Sequence, residues 1–332
     1  MTHDSVRLYL PGNPRVVAIG GGHGLSTMLR GLKSFTRNIT AIVTVADDGG
    51  GSGTLRQELG MPPPGDIRNC IQALSNVEPL MAQLLDYRFC DGSLKGQSFG
   101  NLFLAAMTGL SDRFDQAVER MCQVLNVTGR VLPVTCDNVQ LEALLYNNQR
   151  ILGESRIYDA IKSSHSRIRR VRLLPEHPAP LPAALDAITQ ADLIVIGPGS
   201  LYTSVIPNLL VDGIPDALAA ARGRKVLVMN IMTEEGETEG YTGLDHVREL
   251  LRYAPGGIDC VLANCSPIPA TYLPAYRQEH AAPLELCRSE IEALGIPVLE
   301  RELLSPTGPH VRHNPQALAW ELMRLAQEGG PL

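Results

Sequence analysis

The short apolar run Val16-Val17-Ala18-Ile19 ends on Gly20, and the loop Gly20-Gly21-Gly22-His23-Gly24 leads into apolar residues at helical spacing, Leu25, Met28, Leu29 and Leu32. Ala41-Ile42-Val43-Thr44-Val45 follows and is stopped by Asp47 and Asp48. Strand, turn, helix and strand in that order make a βαβ unit, whose crossover sets the two strands parallel. Parallel strands persist only in sheets covered on both faces, so the unit restricts everything after it. The second half of the chain obeys. Residues 192–196, 225–231 and 258–263 read as continuous apolar strands, and residues 183–188, 214–221 and 244–253 as the helices that alternate with them. The expected fold is α/β, a doubly wound, Rossmann-like, mostly parallel sheet.

The middle of the chain is different. Asp66 reads as the N-cap of a helix over residues 67–74, and residues 102–110 and 114–125 as two further helices. From about residue 130 to 174 the pattern turns to extended pieces at 131–134, 139–146 and 168–174, with Asn147-Asn148 as a turn. This predicts an inserted mixed α/β subdomain, closed by a proline-rich connector over residues 175–182. Asn314 caps and Pro315 opens a last helix to about Gln327. A single domain over residues 15–327 is expected, with residues 1–14 as an N-terminal extension that has no signal-peptide core.

Composition narrows the functions. Twenty-nine basic against thirty-five acidic residues leave a net charge of -6, which argues against a general grip on nucleic acid or anionic membrane. Aromatic residues are only 5%, too few to suggest stacking of single-stranded bases. No apolar run approaches the roughly 18–20 residues of a membrane helix. The seven cysteines include no Cys-x-x-Cys pair, so neither a disulfide framework nor a zinc ribbon is suggested, and a reducing cytoplasm is expected.

The chemistry gathers at glycine loops. Residues 20–24 let a backbone approach an anion, and the free N–H groups at the following helix start bind phosphate. Gly-Lys-Ser/Thr occurs nowhere in the chain, and the third glycine of the dinucleotide fingerprint is replaced by Leu25 or Thr27. A plain strand–helix turn is the alternative. Asp47-Asp48 before Gly49-Gly50-Gly51-Ser52-Gly53 sets two carboxylates beside a second glycine loop, suited to a divalent cation or ribose hydroxyls, or simply an acidic turn. Pro62-Pro63-Pro64-Gly65 feeds Asp66-Ile67-Arg68-Asn69, which either aims Arg68 and Asn69 at a ligand or only caps a helix. Ser98-Phe99-Gly100-Asn101 offers Asn101 to a base or sugar. Gly197-Pro198-Gly199-Ser200 ends a buried strand, where it can bind a second phosphate or the base, or be a turn.

Arg312, in His310-Val311-Arg312-His313-Asn314, can reach a phosphate through two parallel hydrogen bonds or stand in a surface turn. The histidines show no metal-ligand spacing, and the run His165, Arg167, Arg169, Arg170 and Arg172 reads as a solvated strand face. With no Gly-x-Ser-x-Gly elbow or Cys–His signature, nucleophilic hydrolysis has no support. These residues point to a nucleotide or phosphorylated ligand and name no reaction.

Taken in order, the motifs resemble the YvcK-type gluconeogenesis factors. The resemblance rests on residues 17–26, Leu29-Arg30-Gly31-Leu32-Lys33, residues 43–56, residues 64–69, residues 98–101 and Gly197-Pro198-Gly199-Ser200-Leu201-Tyr202, and runs from about residue 15 to about residue 327. His23 stands where many members carry Thr, and Thr233-Glu234-Glu235-Gly236-Glu237-Thr238 is a variant of a Thr-Gln-x-Gly-Glu-Thr segment. That family is related to CofD, the 2-phospho-L-lactate transferase of deazaflavin cofactor biosynthesis, which binds a guanine nucleotide and a divalent metal. YvcK-type proteins look like UDP-sugar binders implicated in cell shape and cell-wall precursor control on gluconeogenic carbon.

The resemblance implies a cytoplasmic regulator that binds UDP-N-acetylglucosamine or a similar nucleotide, requires no cofactor, and leaves a homodimer and regulatory protein partners open. Gly20, Gly21, Gly22, His23, Gly24, Leu25, Asp47, Ser52, Gly53, Arg68, Asn69, Asn101, Gly197, Pro198, Gly199, Ser200 and Arg312 would surround the ligand. The alternative is a transferase of a phospholactyl-type group from a nucleotide diphosphate donor, in which Asp48 beside Asp47 helps hold Mg2+. A third class, the NAD-dependent dehydrogenase, is disfavoured by the missing glycine and by the loop at residues 49–53.

Overall fold

The computed structural model describes residues 13–164, 166–305, 308 and 310–328. Residues 1–12 of the expected extension and His165 of the basic run lie outside the described residues. Twelve strands follow in chain order: β1 (Val16–Gly20), β2 (Ile39–Val43), β3 (Arg130–Pro133), β4 (Gln140–Leu145), β5 (Arg150–Leu152), β6 (Ile168–Leu174), β7 (Leu193–Ile196), β8 (Arg224–Val228), β9 (Cys260–Asn264), β10 (Val298–Arg301), β11 (Leu304–Ser305) and β12 (Arg312–His313).

Seven of them form one sheet in the order β10-β9-β8-β7-β1-β2-β3, and every neighbouring pair is parallel. Side chains alternate faces along a strand, yet every residue of β1, β2, β7 and β8 is buried. Both faces of the sheet centre are therefore covered. The helix Gly22–Leu32 packs on β1 and against the helices Gly65–Leu74 and Pro315–Gln327, burying Leu25, Met28, Leu29 and Leu32 as the spacing predicts. Asn314 caps the last helix, its side-chain oxygen accepting from the N–H groups of Gln316 and Ala317. No described helix is long and apolar enough to cross a membrane.

Three expectations are corrected. The strand expected at the start of the inserted subdomain, now β3, pairs with β2 and forms an edge of the large sheet. The antiparallel sheet β5-β4-β6 and the helix Glu154–Ser164 make up the excursion instead. β4 alternates buried and half-exposed residues, as a strand with one covered face does. Residues 50–53 are not a loop: they open the helix Gly50–Leu59, held by burial of Ser52, Leu55 and Arg56 against poor helix propensity. Asp66 is not a cap either. The helix Gly65–Leu74 begins two residues earlier than expected, behind Pro64, and Asp66 lies inside its first turn.

Candidate functional site

β1 and β7 are neighbours, but the chain leaves β1 towards β2 and leaves β7 towards β8. In open α/β sheets such a reversal opens a crevice beyond the carboxyl ends of the two strands. The glycine loops of residues 20–24 and 197–200, the first and second loops of the site, sit there. A Cβ on Gly24 would lie 2.6 Å from the Pro198 carbonyl oxygen, and one on Gly21 would lie 2.4 Å from a carboxylate oxygen of Asp66. Only glycine allows these approaches, and Gly22 also has a left-handed φ of 66°.

Side chains pin the loops. The Asn230 side chain accepts from the Gly199 N–H at 3.3 Å and donates to the Gly199 carbonyl at 3.0 Å. Buried Asn208 donates to the Gly20 carbonyl at 3.2 Å.

Between the loops lies a cavity of about 340 Å3 lined by Gly22, His23, Gly24, Pro198, Gly199, Ser200 and Arg312, all named from the sequence. Ser204, Asn230, Glu234, Tyr276 and His313 complete its wall. Burial, and then the charges of Arg312, Arg68 and Arg30, hold His23 below the usual imidazole range. His313 is buried and pushed down to about 4. Near neutral pH both rings are therefore uncharged, and the cations around His23 are guanidiniums. Backbone N–H groups, hydroxyls and Arg312 make this cavity fit for an anion.

A second cavity of about 300 Å3 shares Gly22, His23, Ser200 and Ser204 with the first. Asp47, Ser52, Arg68, Asn69 and Asn101 line it, together with Asp66, Arg88 and Glu154. Asp47 accepts from the Gly49 N–H at 2.8 Å, and burial raises its pKa. Burial is also the main reason that Asp66 and Glu154 are each pushed up to about 7, with neighbouring carboxylates adding to it. Asp66 still accepts from the Gly22 N–H, which ties this wall to the first loop. Arg68 donates to the Asn101 side-chain oxygen at 3.3 Å. The second cavity is thus walled by protonatable carboxylates and amides, a surface suited to hydroxyl groups.

Not every named residue reaches a cavity. Leu25 is in the core, Gly20 and Gly197 end their strands, Gly21 packs on Asp66, and Gly53 backs onto the Asp48 carbonyl. Asp48 turns away and accepts from the Ser155 N–H at 2.8 Å, at the start of the helix Glu154–Ser164. Asn230 follows the end of β8, a position that could have been read as a site from strand order alone. Glu154 and Tyr276 come from an insertion and a short helix and carried no signal. Among the described residues no group of three or more His, Cys, Asp or Glu side chains is placed to hold a metal ion.

The profile of the family "2-phospho-L-lactate transferase CofD" matches residues 16–304. A relative in Thermoanaerobacterium thermosulfurigenes is 52% identical over 319 residues, covering 96% of this chain and 98% of that protein. The gluconeogenesis factor of Bacillus subtilis is 46% identical over 317 residues, covering 95% and 99%. The crystal structure of a member of the upf0052 family from Bacillus halodurans superposes with a TM-score of 0.89 at 44% identity, covering 93% of this chain and 99% of that one.

Proposed function

The chain belongs to the CofD/UPF0052 family of YvcK-type gluconeogenesis factors, and we propose that it acts there as a regulator that binds a nucleotide sugar of the UDP-N-acetylglucosamine kind. The observation that carries this reading is the pair of glycine loops facing one cavity from β1 and β7, with a hydroxyl-binding cavity opening from it. The diphosphate would lie against the backbone N–H groups of residues 23, 24 and 200 and against Arg312. The sugar would extend towards Asp66, Asn69 and Asn101. The reversal of strand order between β1 and β7 supports this reading, that of a protein that senses cell-wall precursor supply in the cytoplasm during growth on gluconeogenic carbon.

A second reading, transfer of a phospholactyl-type group from a nucleotide diphosphate donor, draws on the second cavity, which has room for an acceptor beside the anion site. Of the two expected Mg2+ ligands, Asp48 is turned to the Ser155 N–H, whereas Asp47 accepts from the Gly49 N–H and also lines the second cavity, where under this reading it would help hold the ion.

Melting curves with UDP-sugars, GDP, GTP and NAD(H), each with and without Mg2+, test both readings, since a ligand that binds only the folded state raises Tm. A shift with UDP-N-acetylglucosamine independent of Mg2+ is expected. No calorimetric binding at millimolar UDP-sugar would sink the regulator reading, and a Mg2+-dependent shift with GDP alone would favour the transferase.

A further inference from the structure

The segment of residues 233–238 is not used by the reading above, although it forms part of the wall. It is a closed turn: the Glu234 N–H donates to the Thr238 hydroxyl at 2.9 Å, and the Thr238 N–H donates to the Glu234 carbonyl at 3.0 Å. Its outer end is fastened to Ala282, whose carbonyl accepts from the Thr233 N–H at 2.8 Å. The turn delivers two carboxylates to the second glycine loop. Glu237 accepts from the Tyr202 N–H at 3.0 Å and from the Thr203 hydroxyl at 2.5 Å, both at the start of the helical stretch that follows Ser200. Glu234 lines the first cavity and accepts from the Ser200 hydroxyl. Two neighbouring carboxylates with little access to water cannot both carry full charge comfortably: burial raises the pKa of both, and the charge of Glu234 raises that of Glu237 further.

The hydrogen bonds decide where a shared proton resides. Both oxygens of Glu237 accept, and its charge meets the positive end of the helix dipole, so Glu237 is the better anion. Glu234 has one hydroxyl partner and faces the space assigned to phosphate. We propose that anion binding in the first cavity is proton-linked: Glu234 is held in its neutral form while the ligand is bound and donates a hydrogen bond to a phosphoryl oxygen, and Glu237 stays ionised on the helical stretch that it caps. This rests on the reading of the first cavity as a diphosphate site.

The other groups around the turn do not supply the same linkage. His23 and His313 have lowered pKa values and are neutral above the weakly acidic range. Arg312 lines the same cavity, and burial raises the pKa of Tyr276 and Tyr202 away from neutrality. Behind the turn, a cavity of about 470 Å3 holds Lys162, Arg167, Glu239 and His280, and Glu235 is paired with Lys162 at 3.3 Å and with Tyr158. Glu154 acts on Glu237 across the inserted helix, and Asp66 lies in the neighbouring cavity. Glu154 and Asp66 titrate near neutrality and are common to wild type and variant. A difference between the two profiles therefore belongs to the pair.

The test compares wild type with Glu234→Gln, whose amide imitates the neutral acid. Calorimetry with UDP-N-acetylglucosamine from pH 6.5 to 9, in buffers of differing ionisation enthalpy, reads affinity and proton uptake together. In wild type the affinity falls by up to tenfold per pH unit once the shared proton is lost, with net uptake of protons on binding. In Glu234→Gln this slope and this uptake disappear. A flat wild-type profile, or a variant that keeps the wild-type slope and uptake, overturns the proposal. If wild type binds no UDP-sugar at any pH, the functional reading fails first, and ligand-free melting decides the proton assignment. A carboxylate pair with raised pKa loses stability as pH rises, so the variant gains on wild type between pH 6.5 and 9; a constant difference in Tm overturns the shared proton.

Discussion

Residues 20–24 and residues 49–53 have the same pattern, four glycines with one other residue in fourth place, and each stretch follows a strand of the large sheet. In the first, the glycines clear space for distant parts of the chain, Gly21 for Asp66 and Gly24 for the Pro198 carbonyl, and a cavity opens beside them. In the second, Gly53 clears space close by. A Cβ on it would lie 2.0 Å from the Asp48 carbonyl oxygen, and the stretch winds into a helix behind Asp47, whose carboxylate accepts from the Gly49 N–H. A run of glycines therefore reports that something comes close, and what comes close decides the function. At the first loop it is a second loop, with a cavity between them. At the second it is the Asp48 backbone for Gly53 and the Gln97 side chain for Gly51.

Substitutions can break this contrast. Gly24→Ala is expected to have the largest effect, because its Cβ forces the two loops apart: UDP-sugar affinity should fall more than tenfold and stability by about 1–3 kcal/mol. Calorimetry and urea unfolding read the two losses separately, and intact affinity would remove the loop pairing from the site. Gly53→Ala should cost a similar ~1–3 kcal/mol through the Asp48 backbone. Its affinity should fall far less, and an equal loss of binding would erase the distinction between the loops.

Asp66→Asn sharpens the contrast through pH. In the folded chain Asp66 titrates at about 7, above the ordinary carboxylate range, so it contributes stability at low pH that is lost as pH rises to 7 and beyond. The variant should therefore gain on wild type by about 2–3 kcal/mol between pH 5 and 8. A difference independent of pH would show that burial does not perturb this carboxyl. The smallest effect is expected from Asp48→Ala, which removes the acceptor of the Ser155 N–H. A loss of about 1 kcal/mol is expected, as for a helix cap, with nucleotide affinity and its response to Mg2+ unchanged.

The large sheet was legible because its strands are continuous apolar runs punctuated by glycine, a signal that depends on local sequence. The edge position of β3 was not, since Val131 and its neighbours look the same whether they pair with β2 or with β4. The helix Gly50–Leu59 was hidden by its own composition: three of its first four residues are glycine, and only burial of Leu55 and Arg56 makes it a helix. At the site, the loops, Arg68, Asn101 and Arg312 were readable as motifs. Glu154 was not, because an acidic residue opening a helix has an ordinary structural role, and only the docking of the insertion brings it to the second cavity.

The strand order also has a consequence in time. Val16 of β1 pairs with Ile39 on one side and with Leu193 on the other, and Arg312 reaches the first cavity from near the far end of the described chain. At synthesis rates of about 5–20 residues per second, β1 waits roughly 10–35 seconds on the ribosome for its second partner. Until then the first glycine loop faces no second loop, and the cavity between them does not exist. Arg312 arrives later still. Whatever occupies that cavity cannot guide the early folding of this protein; it can meet the whole site only after Arg312 has been made.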